Sequence, residues 1–251
     1  MRRKALYLLA VVSVVVMMVA LGGSQEIKGP RIEIDESNFD FGFAPEGTFM
    51  VHEYVIRNVG DEPLIIKRVR TTCGCTSAPV KKTRIDPGDS TTITIIFNST
   101  RYFHKTSKAA IISTNDPTRP SEKITFIANM DTTSPRAITP EPRKINLGKG
   151  DTFKRTDSVF VQNISEQPVT LKLVDYYKEY LKEPLIKSQA NPQVTGEVTI
   201  KPGEKAVIVV SVRDDLPPAE IVRASFTVAA LDANGKEVTR ITVPVFGITK
   251  K

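Results

Sequence analysis

Three short sequence landmarks of the first half of the chain recur in the same order in the second half. Each landmark and its counterpart are about 105 to 115 residues apart, and the third pair is the most widely spaced. Self-similarity at this period predicts two copies of one structural domain in tandem. The pairs are FDFG (39–42) with INLG (145–148), RNVGDEPL (57–64) with QNISEQPV (162–169), and IDPGDSTTITIIF (85–97) with IKPGEKAVIVVSV (200–212).

Both copies consist of short alternating runs that are typical of β-strands. In MVHEYVIRN (50–58) and STTITIIF (90–97), successive residues differ in polarity or bulk, and β-branched residues are frequent. No long segment shows the helical period of 3.6 residues. We therefore predict an all-β fold of two tandem immunoglobulin-like β-sandwich domains. Turns rich in proline, glycine and Asx residues separate the runs. The predicted turn residues are Asp86, Pro87, Gly88, Asn115, Asp116 and Pro117.

The length of the chain fits this duplication. Its 251 residues leave room for two sandwich domains of about 100 residues each. We predict the first domain, which contains the CGC motif, at residues 30–131 and the second at residues 143–250. The segment between them, residues 132–142, is polar and contains prolines, as is typical of a linker between domains.

The N-terminus has the pattern of a secretory signal. Three basic residues (2–4) precede an apolar run (5–21), and small residues follow it. We predict a signal peptide at residues 1–22. The apolar run reaches the lower limit for a membrane-spanning helix, so an uncleaved anchor is the alternative. In both cases we expect the rest of the chain in the periplasm or at the cell surface, with no membrane contact beyond the N-terminal segment.

Composition and motifs argue against two classes of function. The net charge is +7, but the basic residues are scattered among acidic ones and tryptophan is absent. A nucleic-acid binder usually concentrates its basic residues on one stripe, so we predict no nucleic-acid partner. The signatures of serine hydrolases, P-loop proteins, zinc proteases and dinucleotide-binding enzymes are also missing. We therefore predict that the protein is not an enzyme.

The first domain resembles a known family. The residues that carry this resemblance are DFG (40–42), EG (46–47), N-x-G (58–60), PL (63–64), TTCGCT (71–76), PG (87–88) and STNDP (113–117). They are similar to the domain of unknown function 1573 of exported bacterial proteins, over about residues 35–131. The resemblance implies an immunoglobulin-type sandwich of the hydin-like and major-sperm-protein-like branch, and export. It implies no activity. The second domain lacks the cysteines and the NDP turn.

Cys73 and Cys75 are the strongest candidates for chemistry. Residues i and i+2 of an extended strand lie about 6.6 Å apart, near the upper limit for a disulfide, although Gly74 permits a bend that shortens the distance. Three interpretations stay open: a structural turn or bridge, a dithiol that exchanges with other thiols, and copper binding. Two soft thiolates suit Cu(I), but they are too few for a closed zinc site. No other cofactor is predicted.

The wider spacing of the third landmark pair means that the second domain has about ten residues more than the first. These extra residues lie around 175–187, in a segment rich in tyrosine. They form either a helical turn that caps one end of the sandwich or an exposed aromatic patch for a partner. We predict a non-catalytic, exported module of the cell envelope with a structural or protein-binding role, and thiol redox or copper chemistry as the alternative. Its partner would be another envelope protein or a surface polymer, docked at a sheet edge, an end loop or this segment. The candidate partner-binding residues are Tyr176, Tyr177, Tyr180 and Leu181.

Overall fold

The computed structural model describes residues 29–189 and 196–250, so the predicted signal peptide lies outside the described residues. The fold consists of β-strands and one-turn elements, including a 3₁₀ helix at Gly150–Thr152. No helix within these ranges has the length and apolar character needed to cross a membrane. The strands of the first half are β1 (Ile32–Ile34), β2 (Asn38–Phe43), β3 (Phe49–Asn58), β4 (Leu64–Thr71), β5 (Thr76–Ser77), β6 (Arg84–Ile85), β7 (Ser90–Asn98), β8 (Lys105–Thr114) and β9 (Ser121–Asn129).

The second half repeats this series of strands. One sheet of the first half has the order β1-β3-β7-β5, and one sheet of the second half has the order β10-β12-β16-β14. The strands of the second half are β10 (Ile138–Glu141), β11 (Ile145–Lys149), β12 (Thr156–Asn163), β13 (Val169–Tyr176), β14 (Leu185–Ser188), β15 (Val198–Ile200), β16 (Lys205–Ser211), β17 (Ile221–Leu231) and β18 (Glu237–Ile248).

The two halves are two immunoglobulin-like sandwiches, as the alternating pattern predicts. Each buries its own apolar cluster, because the apolar residues of each strand face the opposite sheet. In β7, for example, Ile93, Ile95 and Phe97 are fully buried between the sheets of the first sandwich. Only part of the predicted linker, residues 132–142, connects the two sandwiches. Its residues Ile138–Glu141 form strand β10, which pairs with β12 in the second sandwich.

The second sheets of the two sandwiches are joined edge to edge. Strand β18 pairs in parallel with β2 at Ile241 and Phe43, so one sheet runs through both halves in the order β15-β13-β17-β18-β2-β9-β8-β4-β6. Strand β3 also packs on β17, where the Ser225 hydroxyl bonds to the backbone N–H and C=O of Val51, both at 2.9 Å. By the alternation of side chains along β3, Val51 faces away from the first core, and it is buried against the second sandwich.

Gly42 lies at this junction and permits the close approach of β18. Its φ is +63°, and a Cβ atom there would lie 2.1 Å from the carbonyl oxygen of Arg240. We expect Gly42→Ala to lower the free energy of unfolding by about 3 kcal/mol, measured by urea unfolding. Gly47 is the matched control, because its φ is +67° and no atom lies within 4 Å of the added Cβ. Equal losses for Gly42→Ala and Gly47→Ala would show that the junction tolerates the methyl group.

Candidate functional site

The two cysteines form a disulfide in the loop between β4 and β5. The Cα atoms of Cys73 and Cys75 are 5.2 Å apart, within the range that a disulfide can bridge. The loop is held to both sheets: the N–H of Thr72 donates to the carbonyl of Ala109 (2.9 Å), and the carbonyl of Cys75 accepts from Asn98 (2.8 Å). The bonded state is the structural alternative among the three interpretations of this motif.

A cavity of about 480 Å³ opens beside the disulfide. The loop after β7 forms its other wall. The side-chain oxygen of Asn98 shapes this loop, because it accepts hydrogen bonds from the N–H and the hydroxyl of Thr100. Tyr102 packs against Phe97 of the core, with ring centroids 5.2 Å apart, and the ammonium of Lys108 lies 4.9 Å from the tyrosine ring. Tyr102, which lines the cavity, is therefore held in place by its contacts with Phe97 and Lys108.

Phe103 is the most exposed of the large apolar residues in the described part of the chain, with 60% of its surface in contact with solvent. Its neighbours Arg101 and His104 are exposed as well. We call Cys73–Cys75 together with Arg101–His104 the end surface. It combines an aromatic ring, an arginine and a cavity, the features that are common at energetic hot spots of protein interfaces. Of this set, only the cysteines could be singled out from the sequence, because nothing in RYFH (101–104) distinguishes an exposed phenylalanine from a core one.

The chemistry that the end surface can perform depends on the redox state of its cysteines. Both cysteines of the chain are in the disulfide, so neither offers a thiolate as nucleophile in this state. No group of three or more His, Cys, Asp or Glu side chains in residues 29–189 and 196–250 is arranged to hold a metal ion. Thiol exchange and Cu(I) binding require reduced cysteines. Both stay predictions, which thiol counting with and without reductant and Cu(I) titration of a Cys73→Ser, Cys75→Ser control would test.

The tyrosine-rich segment belongs to the second core. The segment leaves β13 after Tyr176 and makes one turn, in which the N–H of Leu181 donates to the carbonyl of Tyr177 (2.9 Å). Tyr177 and Leu181 are buried, and Tyr176 and Tyr180 are half-buried against the same cluster. The prediction of an exposed aromatic patch is therefore wrong for Tyr177 and Leu181, because the turn folds them inward.

The tyrosine hydroxyls reach carboxylates at the rim of a cleft between the sandwiches. Burial and a hydrogen bond to Glu220 raise the pKa of Tyr180 to about 12. Tyr177 donates to Glu179 (2.7 Å), which also pairs with Lys81 of the first sandwich (3.1 Å). These two contacts hold the pKa of Glu179 below its usual value. Across the cleft, burial raises the pKa of Glu53. The ion pair between Lys81 and Glu179 thus connects the two sandwiches across the cleft.

His52 also joins the two sandwiches. Its ring is buried and stacks on the ring of Phe39, with centroids 3.6 Å apart. Its Nδ1 lies 2.7 Å from a carboxylate oxygen of Asp175, at the end of β13.

The predicted turns have the geometry that their residues favour. At Asp86–Asp89 the N–H of Asp89 donates to the carbonyl of Asp86 (3.0 Å), and Gly88 has a φ of +80°. In the turn Asn115–Pro117, the side chain of Asp116 accepts a bond from the N–H of Thr118 two residues later. These residues lie at the opposite end of β4 from the disulfide and take no part in the end surface.

Residues 32–130 match the sequence model of the family described as "Protein of unknown function (DUF1573)". The first sandwich is a DUF1573 domain. The match includes the disulfide loop and the whole end surface, and it ends before the second sandwich begins. No protein of curated function matches the chain.

Solved structures with a sandwich fold are similar to the chain at low sequence identity. A protein of unknown function from Porphyromonas gingivalis W83 is 14% identical, with a TM-score of 0.34 over 87% of this chain and 100% of that one. The YadV chaperone is 12% identical, with a TM-score of 0.33 over 84% and 98%. WR4, a major-sperm-protein family member from C. elegans, is 11% identical, with a TM-score of 0.32 over 45% and 99%. These similarities concern the fold alone.

The DUF1573 domain and the second sandwich differ at the position of the disulfide loop. In the DUF1573 domain β4 leads into Cys73–Cys75, whereas in the second sandwich β13 leads into the buried turn of Tyr177 and Leu181. The exposed Phe103 follows β7 of the DUF1573 domain, and the equivalent strand β16 is followed by Arg213 and Asp215, which pair with each other. The end surface is therefore a feature of the DUF1573 domain that the second sandwich does not repeat.

Proposed function

We propose that the protein is a non-catalytic binding module of the cell envelope, which contacts another envelope protein through the end surface of its DUF1573 domain. The observation that carries this proposal is the 60% exposure of Phe103, which directly follows the cavity-lining residues Arg101 and Tyr102 in the chain. Burying a phenylalanine side chain contributes about 1.5–3 kcal/mol, so a partner that covers this ring gains an energy that folding alone leaves unused. The N-terminal signal pattern supports placement outside the cytoplasm.

The arrangement of the end surface suits recognition. The disulfide and the packing of Tyr102 on the core restrict the backbone on both sides of the cavity, so little conformational entropy is lost when a partner binds. Arg101 is exposed at the rim, where a guanidinium can bind a carboxylate of the partner with two parallel hydrogen bonds. The second sandwich acts as a rigid support, because it shares a continuous sheet with the first.

A photo-crosslinking amino acid at position 103 tests the proposal in cells that produce the full chain. We expect a discrete adduct with one envelope protein from position 103. Positions 160 and 246 are the controls, because Phe160 and Phe246 are also exposed (39% and 40%) but lie on the second sandwich. We expect Arg101→Glu to reduce the adduct at least about tenfold, as loss of a hot-spot arginine would. Equal adducts from all three positions, or none from position 103, would contradict the proposal.

A further inference from the structure

The edge of strand β4 is open over most of its length. Along one side β4 pairs with β8 from Ile66 to Thr71. Along the other side β6 pairs only with Leu64 and Ile65, and a single further bond joins the N–H of Ile66 to Thr83. The segment from Lys67 to Thr71 therefore has a partner strand on one side only. It runs directly into the disulfide loop of the end surface.

The open edge presents unpaired backbone groups to solvent. Successive residues of a strand direct their N–H and C=O groups to opposite sides. The N–H of Thr72 points to β8, because it donates to Ala109 at 2.9 Å. By this alternation, Val69 and Thr71 direct their N–H and C=O groups to the open side. Such an edge is a template to which another extended segment can add as a strand.

Positive charge lies along this edge. Lys67, Arg68 and Arg70 are exposed, and no ion pair among the described residues involves them. Arg68 and Arg70 are two positions apart, so both stand on the outer face of the sheet. Arg70 is paired with Ile111 of β8, which is paired in turn with Lys123 of β9, a further exposed cation without an ion pair among the described residues. An added strand would meet basic side chains wherever its own residues point outward.

We propose that this edge binds an extended segment of the protein partner, with acidic residues at every second position, as an additional strand beside β4. The inference rests on the proposed function and names the chemistry of the partner. The carboxylates of the added strand would lie opposite Arg68 and Arg70, as cross-strand pairs of opposite charge. The same segment would continue toward the end surface, where Phe103 and the cavity take up the rest of the partner.

A second copy of the chain does not fit the edge. Two β4 edges brought together would place Arg68 and Arg70 of one molecule against the same cations of the other, and directly opposed like charges destabilise a strand pair. The equivalent edge of the second sandwich differs too. There Lys172 pairs with Glu197 (3.0 Å), and Asp175 binds His52 of the first sandwich. The unpaired cations therefore distinguish the β4 edge within the described chain.

A labelled peptide tests the proposal on the full-length protein by fluorescence anisotropy. The probe is an acetylated, amidated peptide of alternating threonine and glutamate, measured at about 0.15 M salt, where weak surface attraction is screened. We expect saturable binding, and we expect Arg68→Glu with Arg70→Glu to weaken it at least about tenfold. The double variant Lys201→Glu with Lys205→Glu changes the net charge equally. Both residues are exposed on the second sandwich. This control variant should therefore bind the peptide with an affinity within about twofold of that of the native chain.

Backbone methylation of the probe separates strand addition from simple charge attraction. One probe is N-methylated at each glutamate and the other at each threonine. Because a strand directs alternate N–H groups to one edge, we expect one methylated probe to lose binding and the other to keep it. Equal binding of both would overturn the proposal in favour of an anionic ligand held by charge alone. Absence of peptide binding alongside an intact crosslink at position 103 would overturn this inference and leave the proposed function in place.

Discussion

Replacing Asp116 with alanine is expected to lower the free energy of unfolding of the DUF1573 domain by about 4 kcal/mol. The carboxylate is fully buried and ties the turn after β8 to β1. One of its oxygens accepts bonds from the N–H and hydroxyl of Thr118 (both 2.8 Å) and from the N–H of Arg119 (3.1 Å). The other accepts from the N–H of Ile32 (2.8 Å). Alanine leaves these donors without a charged acceptor, and urea unfolding at neutral pH measures the loss.

The same contacts make the contribution of Asp116 depend on pH. Burial alone would raise the pKa of its carboxyl, but the hydrogen bonds from Ile32, Thr118 and Arg119 outweigh burial and hold the pKa below its usual value. A folded-state pKa below the unfolded value of about 3.9 means that the extra stability is present above about pH 4. It is lost as the pH falls through the folded-state pKa. The unfolding free energies of the native chain and Asp116→Asn should therefore converge on acidification.

Asp89 provides the control for this pH dependence. Its side chain is exposed and has no ion pair among the described residues, so Asp89→Ala should change the free energy of unfolding by less than about 0.5 kcal/mol at any pH. A constant difference between the native chain and Asp116→Asn, from about pH 7 to about pH 3, would show that Asp116 acts through shape and not through its charge.

The fold follows from features that the sequence displays locally. Alternation in β3 and β7 identifies the inward residues, since side chains of a strand point to opposite faces in turn. The Pro-Gly turns at Asp86–Asp89 and Lys201–Glu204 are each closed by one hydrogen bond between residues three positions apart. The N–H of Asp89 donates to the carbonyl of Asp86, and the N–H of Glu204 donates to that of Lys201, both at 3.0 Å. These features involve residues close in sequence, and so local pattern is enough to predict them.

Features that depend on distant residues could not be predicted in this way. Nothing near Val51 or His52 signals that Ser225 and Asp175 of the other sandwich lie against them. Local sequence predicts a turn at Asp116, but the bond from the N–H of Ile32 to its carboxylate depends on the fold. The exposure of Phe103 is likewise a property of the folded surface. The candidate site was therefore predicted only where it contains rare residues, the two cysteines.

Replacing Asn58 or Asn163 with alanine is expected to cost about 3 kcal/mol in each sandwich. Both side chains are buried at the start of the turn after the second strand of their sandwich sheet. The amide group of Asn58 donates to the carbonyls of Glu62 (2.8 Å) and Ile85 (2.9 Å). That of Asn163 donates to the carbonyls of Gln167 (2.8 Å) and Ile200 (3.0 Å). In both sandwiches the asparagine amide thus bonds two backbone carbonyls, which explains why the sequence repeats an asparagine at this landmark.

The backbone of each asparagine also holds the Pro-Gly turn of its sandwich. The carbonyl of Asn58 accepts from Gly88 and that of Asn163 from Gly203, both at 2.9 Å. Because these bonds survive in an alanine variant, the expected loss isolates the side-chain amide. Substitution by aspartate should cost more than alanine at neutral pH, since a carboxylate would face two carbonyl oxygens. Asn234→Ala, at an exposed turn, should change stability by less than about 0.5 kcal/mol. If Asn58→Ala or Asn163→Ala were equally harmless, the amide bonds would not stabilise the turns, and the repeated asparagine would need another explanation.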